Sequence, residues 1–291
     1  LSLADLFEKT SSEASILRHI IFIHGLDGHY NMTWETQNQE NEFWPLWLAN
    51  DIPGSSIWTV SYNASIFCCF GPSMTLVDQA TNILERLLLE EKLLTGDLIF
   101  VGHSLGGLVI KQLLRTADIK ALNCQKTEKF IQRIRLISFL ATPHMGSGYA
   151  SFMDTFRIFF MPSVATVSIV RNNPNLRDLN LWYRQWSKKH SIKHLILSET
   201  QPYKKLFCIV KPDSSDPGLE ENPIPIDANH VTICKPKNQD SEVYLHIKYF
   251  IVSNVDFMRQ EKLVQQAQMA SSYSFCPKHF VDNQVGNKLE I

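Results

Sequence analysis

The sequence predicts an α/β fold, a mostly parallel central sheet flanked by helices. Three observations carry that expectation. Short apolar runs, His19–His24, Leu98–Val101 and Ile134–Leu140, read as strands buried on both faces. Between them lie stretches with helical periodicity, of which Leu76, Val77, Ala80, Ile83, Leu84, Leu87 and Leu88 form the clearest single face. The third is the junction at Gly102-His103-Ser104-Leu105-Gly106. Here a strand runs directly into a helix marked by Leu105, Leu108, Val109, Leu113 and Leu114.

That junction is a G-x-S-x-G turn in the setting of a nucleophile elbow. Reversing from strand to helix within one residue strains the serine backbone, and glycines at 102 and 106 keep side chains out of the crowded turn. Ser104 is the candidate nucleophile. The N–H of Leu105, at the start of the new helix, is a candidate oxyanion donor. Upstream, the strand His19–His24 ends in Gly25-Leu26-Asp27-Gly28. A glycine-bearing loop at this place supplies a second oxyanion N–H in hydrolases built on this elbow, and Leu26 is the candidate. The fold expected is therefore the α/β-hydrolase fold.

The remaining elements follow in order. Phe43–Leu48 reads as a short helix and Ser56–Tyr62 as a strand. The apolar stretch Ile66–Phe70 is expected to line an acyl pocket or to pack on the sheet. Thr75 and Asp78 are spaced as a capping box for a helix reaching about Leu94. After Ile134–Leu140 comes Ala141-Thr-Pro-His-Met-Gly-Ser147, then an insertion over 149–187. Its first half is apolar and its second half amphipathic, so it is expected as a helical cap above Ser104 or as a crossover helix pair. His194–Ser198 and Leu206–Val210 read as the last strands, before a closing helix that includes Leu245–Val252. The expected organisation is a hydrolase domain over residues 1–269 and a polar tail over 270–291.

A serine hydroxyl needs a base within hydrogen-bond reach and an acid to orient that base. In this fold the order along the chain is serine, acid, histidine. His230, in Asp227-Ala-Asn-His-Val-Thr-Ile233 just before the closing helix, is the candidate base, and the same order removes His103 and His144. The loop after Leu206–Val210 carries Asp213 and Asp216. Asp213 is preferred as the acid because Asp216 precedes Pro217 in a turn, with Asp227 and Glu199 left as further candidates.

Composition sets bounds on function. The chain has 291 residues, 44% hydrophobic and 20% charged, and its net charge of −1 gives no electrostatic footprint for nucleic acid. Six cysteines without a C-x-x-C pair form neither a disulfide scaffold nor a structural zinc site, and they favour a reducing, intracellular location. No metal or organic cofactor is expected. The longest apolar stretch, Ile158–Val170, is broken by Pro162, which argues against a membrane span and leaves peripheral membrane contact open.

Four motifs together resemble the lipase-like serine esterases that include the GPI inositol-deacylases and the mitochondrial serine-active-site-containing protein. They are Ile23-His-Gly-Leu-Asp-Gly28 with Trp34, Val101-Gly-His-Ser-Leu-Gly-Gly107 with Val109 and Lys111, Leu140–Ser147, and Asn229-His-Val-Thr-Ile-Cys-Lys-Pro236. The resemblance implies Ser104 as nucleophile, His230 as base, and Leu26 and Leu105 as oxyanion donors. It also implies an acyl-ester or lipid substrate. An acyltransferase with the same residues, or an interaction module that has lost the chemistry, are the alternatives.

Overall fold

The computed structural model describes residues 5–9, 16–26, 28–37, 40, 42–62, 75–144, 174–204 and 208–254. The chain divides into two compact units, Leu1–Phe250 and Ile251–Ile291, and the elements below belong to the first. The expected pocket-lining stretch 66–70, the apolar half of the expected insertion and the tail 270–291 lie outside the described residues.

Among the described residues seven strands form one sheet: β1 (Asp5–Lys9), β2 (Arg18–Ile23), β3 (Ser55–Ser61), β4 (Asp97–His103), β5 (Ile134–Leu140), β6 (Lys193–Glu199) and β7 (Ile224–Ile226). Their order is β1-β3-β2-β4-β5-β6-β7, all parallel except the β1–β3 pair. The mostly parallel sheet expected from the apolar runs is present. β2 and β5 are buried almost throughout, as strands covered on both faces must be.

Among the described residues six helices are bounded: α1 (Pro45–Asp51), α2 (Leu76–Leu89), α3 (Leu105–Ala121), α4 (Gln125–Ile131), α5 (Pro174–Lys189) and α6 (Pro212–Ser215). A seventh, α7, runs over residues 242–250 in the first unit. Side chains alternate across a strand, and the two faces of β2 are covered accordingly. Ile21 and Ile23 join α2, α3 and α4 in the main core. On the other face Phe22 meets Trp34 and Trp44 edge-on, and Trp44 meets Tyr244 of α7. The capping box holds: Thr75 Oγ1 accepts the Asp78 N–H, and the Asp78 carboxylate accepts the Thr75 N–H. Thr75→Ala should lower stability by about 1 kcal/mol, read as a shift in the denaturant midpoint.

One strand expectation is corrected. Leu206–Val210 is not a strand over its described residues 208–210, which form a bend. The strand that pairs with β6 is β7, a short edge strand carrying Pro225.

Candidate active site

Ser104 stands between β4 and α3 with φ 54° and ψ −125°, a conformation that non-glycine residues rarely adopt. Its N–H donates to the Leu140 carbonyl at the end of β5, at 2.9 Å. The glycines around it are required by contact. A Cβ on Gly106 would lie 2.2 Å from the Ile23 carbonyl oxygen and 2.6 Å from that of His24, so α3 rests directly on the end of β2. A Cβ on Gly25 would lie 2.7 Å from the Ser104 Cβ. Gly106→Ala should therefore cost about 1–3 kcal/mol, as overpacking does, and lower activity by displacing the start of α3. An unchanged melting temperature would contradict this close approach.

The loop after β2 is fixed from β3. Tyr62 Oη–H donates to the His24 carbonyl at 2.6 Å, and the two rings stack at 4.5 Å. Gly28 N–H closes a tight turn onto the Gly25 carbonyl. Leu26 is thereby held at the lip of a cleft of about 330 Å³, lined also by Met32, Ser104, His230, Val231 and Cys234. A larger cleft of about 700 Å³, between α5 and residues 218–221, includes neither Ser104 nor His230.

His230 lies just before a 3₁₀ turn, Thr232–Cys234. Asn229 builds this corner: its Oδ1 accepts the N–H groups of Val231 and Thr232, and its own N–H donates to Thr232 Oγ1. His230 Nε2 is 2.9 Å from Ser104 Oγ, and Nδ1 is 2.8 Å from Glu199 Oε2. A carboxylate only accepts, so Nδ1 carries the hydrogen and Nε2 accepts from the serine hydroxyl. All three side chains are buried.

The carboxylate that meets His230 Nδ1 is that of Glu199, one of the further candidates, and not that of the preferred Asp213. Glu199 is the last residue of β6, and its second oxygen accepts the Val210 N–H at 2.8 Å. Asp213 lies in α6, and its side chain is outside the described residues. The two other candidates are engaged elsewhere. Asp216 Oδ1 accepts the Gly218 N–H in a turn, and Asp227 accepts from Gln201. The preference for Asp213 rested on a strand at 206–210; that element is a bend where it is described, and the carboxylate that reaches His230 closes β6. In the sequence Glu199 is marked only by following the short apolar run Leu195–Leu197, with no turn or glycine pattern around it.

The excluded histidines have other partners. His103 Nε2–H donates to the His230 carbonyl at 2.8 Å. His144 lies 2.7 Å from the Lys111 amine. Burial lowers the His24 pKa to about 4 and, with the neighbouring His230, the His103 pKa to about 3. Both are neutral in the folded protein, whereas the unfolded chain takes up protons below about pH 6.5. Their contribution to stability is complete above about 6.5 and is lost as pH falls toward the folded values, at about 1.4 kcal/mol per pH unit for each histidine. The melting temperature should therefore fall as pH drops from 6.5 toward 4. A flat profile across that window would contradict the buried neutral histidines.

Residues 14–202 match the model of a family described as "Putative serine esterase (DUF676)". The chain belongs to this family. The matched stretch takes in the Gly25 loop, Ser104 and Glu199, and stops short of His230. Protein SERAC1 of Bos taurus is 30% identical over 258 residues, covering 80% of this chain and 38% of that protein. The Homo sapiens protein of the same name is 29% identical with the same coverage. The chain therefore spans 38% of the length of these curated relatives. Among solved structures, mature lipase BlEst2 of Bacillus licheniformis aligns with a TM-score of 0.50 at 13% identity, over 84% of this chain and 98% of that one. That likeness, with the sheet order, gives the family member an α/β-hydrolase fold. No helix among the described residues is long and apolar enough to cross a membrane.

Proposed function

We propose that this chain is a serine carboxylic-ester hydrolase acting on acyl esters, lipid esters among them. The observation that carries the proposal is the unbroken line Ser104 Oγ, His230 Nε2, His230 Nδ1, Glu199 Oε2, with steps of 2.9 and 2.8 Å, at a strained strand-to-helix turn. His230 takes the hydroxyl proton as Ser104 attacks the ester carbonyl. Glu199 holds the imidazole in the correct tautomer and stabilises the imidazolium that forms.

The N–H groups of Leu26 and Leu105 receive the developing oxyanion. Leu105 is the first residue of α3, so its N–H has no partner within the helix. His230 then protonates the departing alcohol and activates the water that releases the acid. Leu26, Met32, Val231 and Cys234 give the cleft an apolar wall suited to an acyl chain. Family membership and the fold support the reaction class. The test is incubation with a fluorophosphonate followed by peptide mapping. Modification of Ser104 alone is expected, and absence of labelling or labelling of another residue would overturn the proposal.

A further inference from the structure

Two residues of the sequence motifs, Lys111 and His144, have no part in the proposed chemistry. They meet behind it. Lys111 is fully buried on α3, and its amine lies 2.7 Å from His144 Nδ1 and 2.6 Å from Asn180 Oδ1 of α5. The remaining side of the amine is covered by the rings of Tyr183 and Phe139, with centroids at 4.8 and 5.3 Å. A buried amine surrounded by neutral groups is expensive to keep, and burial pushes its pKa well below the usual lysine range. Packing does not call for it, since methionine has similar length and no such cost.

The connections point to a role. Lys111 lies one turn beyond Gly107, where a Cβ would come 2.2 Å from Thr142 Oγ1, so this side of α3 carries the loop after β5. His144, in that loop, donates its backbone N–H to the Ser214 carbonyl at 2.7 Å. Asn180 donates its amide to the Pro217 carbonyl at 3.1 Å. Both bonds grip the segment 210–217, and the head of that segment supplies the Val210 N–H that binds Glu199 Oε1. Leu105 and Leu108 of α3 pack against Leu176 and Leu179 of α5 around the same junction.

We infer that Lys111 is a positioning residue: through His144 and Asn180 it fixes the 210–217 segment, and thereby the carboxylate of Glu199 against His230. The inference rests on the Ser104 reading of the site. Replacing lysine by methionine leaves the volume and removes both polar links. Displacements of up to an ångström at a catalytic group cost about tenfold to a hundredfold in rate.

The test reads the second-order rate constant for fluorophosphonate modification of Ser104, measured well below each variant's melting temperature so that nearly all of the protein is folded. Lys111→Met should lower it at least about tenfold. Leu114→Ala, a core truncation on the same helix, should lower the melting temperature and leave the rate constant near that of the wild type. The decisive comparison is made in a Glu199→Gln background, where Lys111→Met should add less than about twofold because the group it positions is already disabled. Asn180→Ala is carried through the same cycle and serves if Lys111→Met does not fold. An undiminished rate in the single variants, or a penalty that multiplies with Glu199→Gln, would overturn the inference. Wild-type protein that does not react at Ser104 would instead overturn the proposed function, and the inference with it.

Discussion

Ser104→Ala should reduce ester turnover by about six orders of magnitude while leaving the protein folded. The size follows from the unit in which the hydroxyl acts. Without Oγ there is no acyl-enzyme, and His230 has no proton to take. The oxyanion donors and the cleft remain, so a residual acceleration of about 10³-fold over water should persist. The stability change should be small. Alanine can occupy the same positive-φ conformation at the same strain, and the hydroxyl supports no packing beyond its bond to His230 Nε2. Turnover of an activated ester and a melting curve, measured on the same preparation, check both halves. Wild-type activity in the variant would sink the assignment of Ser104. An interaction module that had lost its chemistry would show no difference because it would show no turnover in either protein.

What the sequence could reveal depended on how local each feature is. Ser104 was legible because its requirement is short-range: a strand, a five-residue turn and a helix, with glycines where backbones come within 3 Å of any added Cβ. His230 was legible from its place before the closing helix, and the Asn229 side chain that builds its corner lies one residue away. Glu199 has no such local signature. Leu206–Val210 is as apolar as a strand, and Ile209 and Val210 are indeed buried, but burial alone does not make a ladder. The bend there instead turns the Val210 N–H toward the Glu199 carboxylate. Two edge strands were hidden for related reasons. β1 shows a half-exposed, mixed sequence in antiparallel pairing, and β7 has three residues with a proline at its centre. The Lys111 cluster was visible only as motif letters, since its partners His144 and Asn180 come from segments 33 and 69 residues away.

Glu199→Gln should be the second most damaging single change, lowering turnover by about 10⁴-fold. Both carboxylate oxygens accept: Oε2 from His230 Nδ1–H and Oε1 from the Val210 N–H. An amide has one oxygen to offer. If that oxygen faces His230, the amide nitrogen opposes the Val210 N–H, two donors in contact at a buried site. If it faces Val210, the nitrogen donates to Nδ1, the hydrogen moves to Nε2, and the imidazole presents a donor to Ser104 where the reaction needs an acceptor. The second arrangement satisfies every group, so it is the one the folded variant should adopt, stable and in the wrong tautomer. Asp213→Asn, in contrast, should leave turnover close to that of the wild type. Asp216→Asn should do the same, because an amide oxygen can still accept the Gly218 N–H. Turnover with a short-chain activated ester, beside melting curves for all three variants, reads the outcome. A quiet Glu199→Gln together with a crippled Asp213→Asn would return the acid to the loop after residue 210 and remove Glu199 from the mechanism.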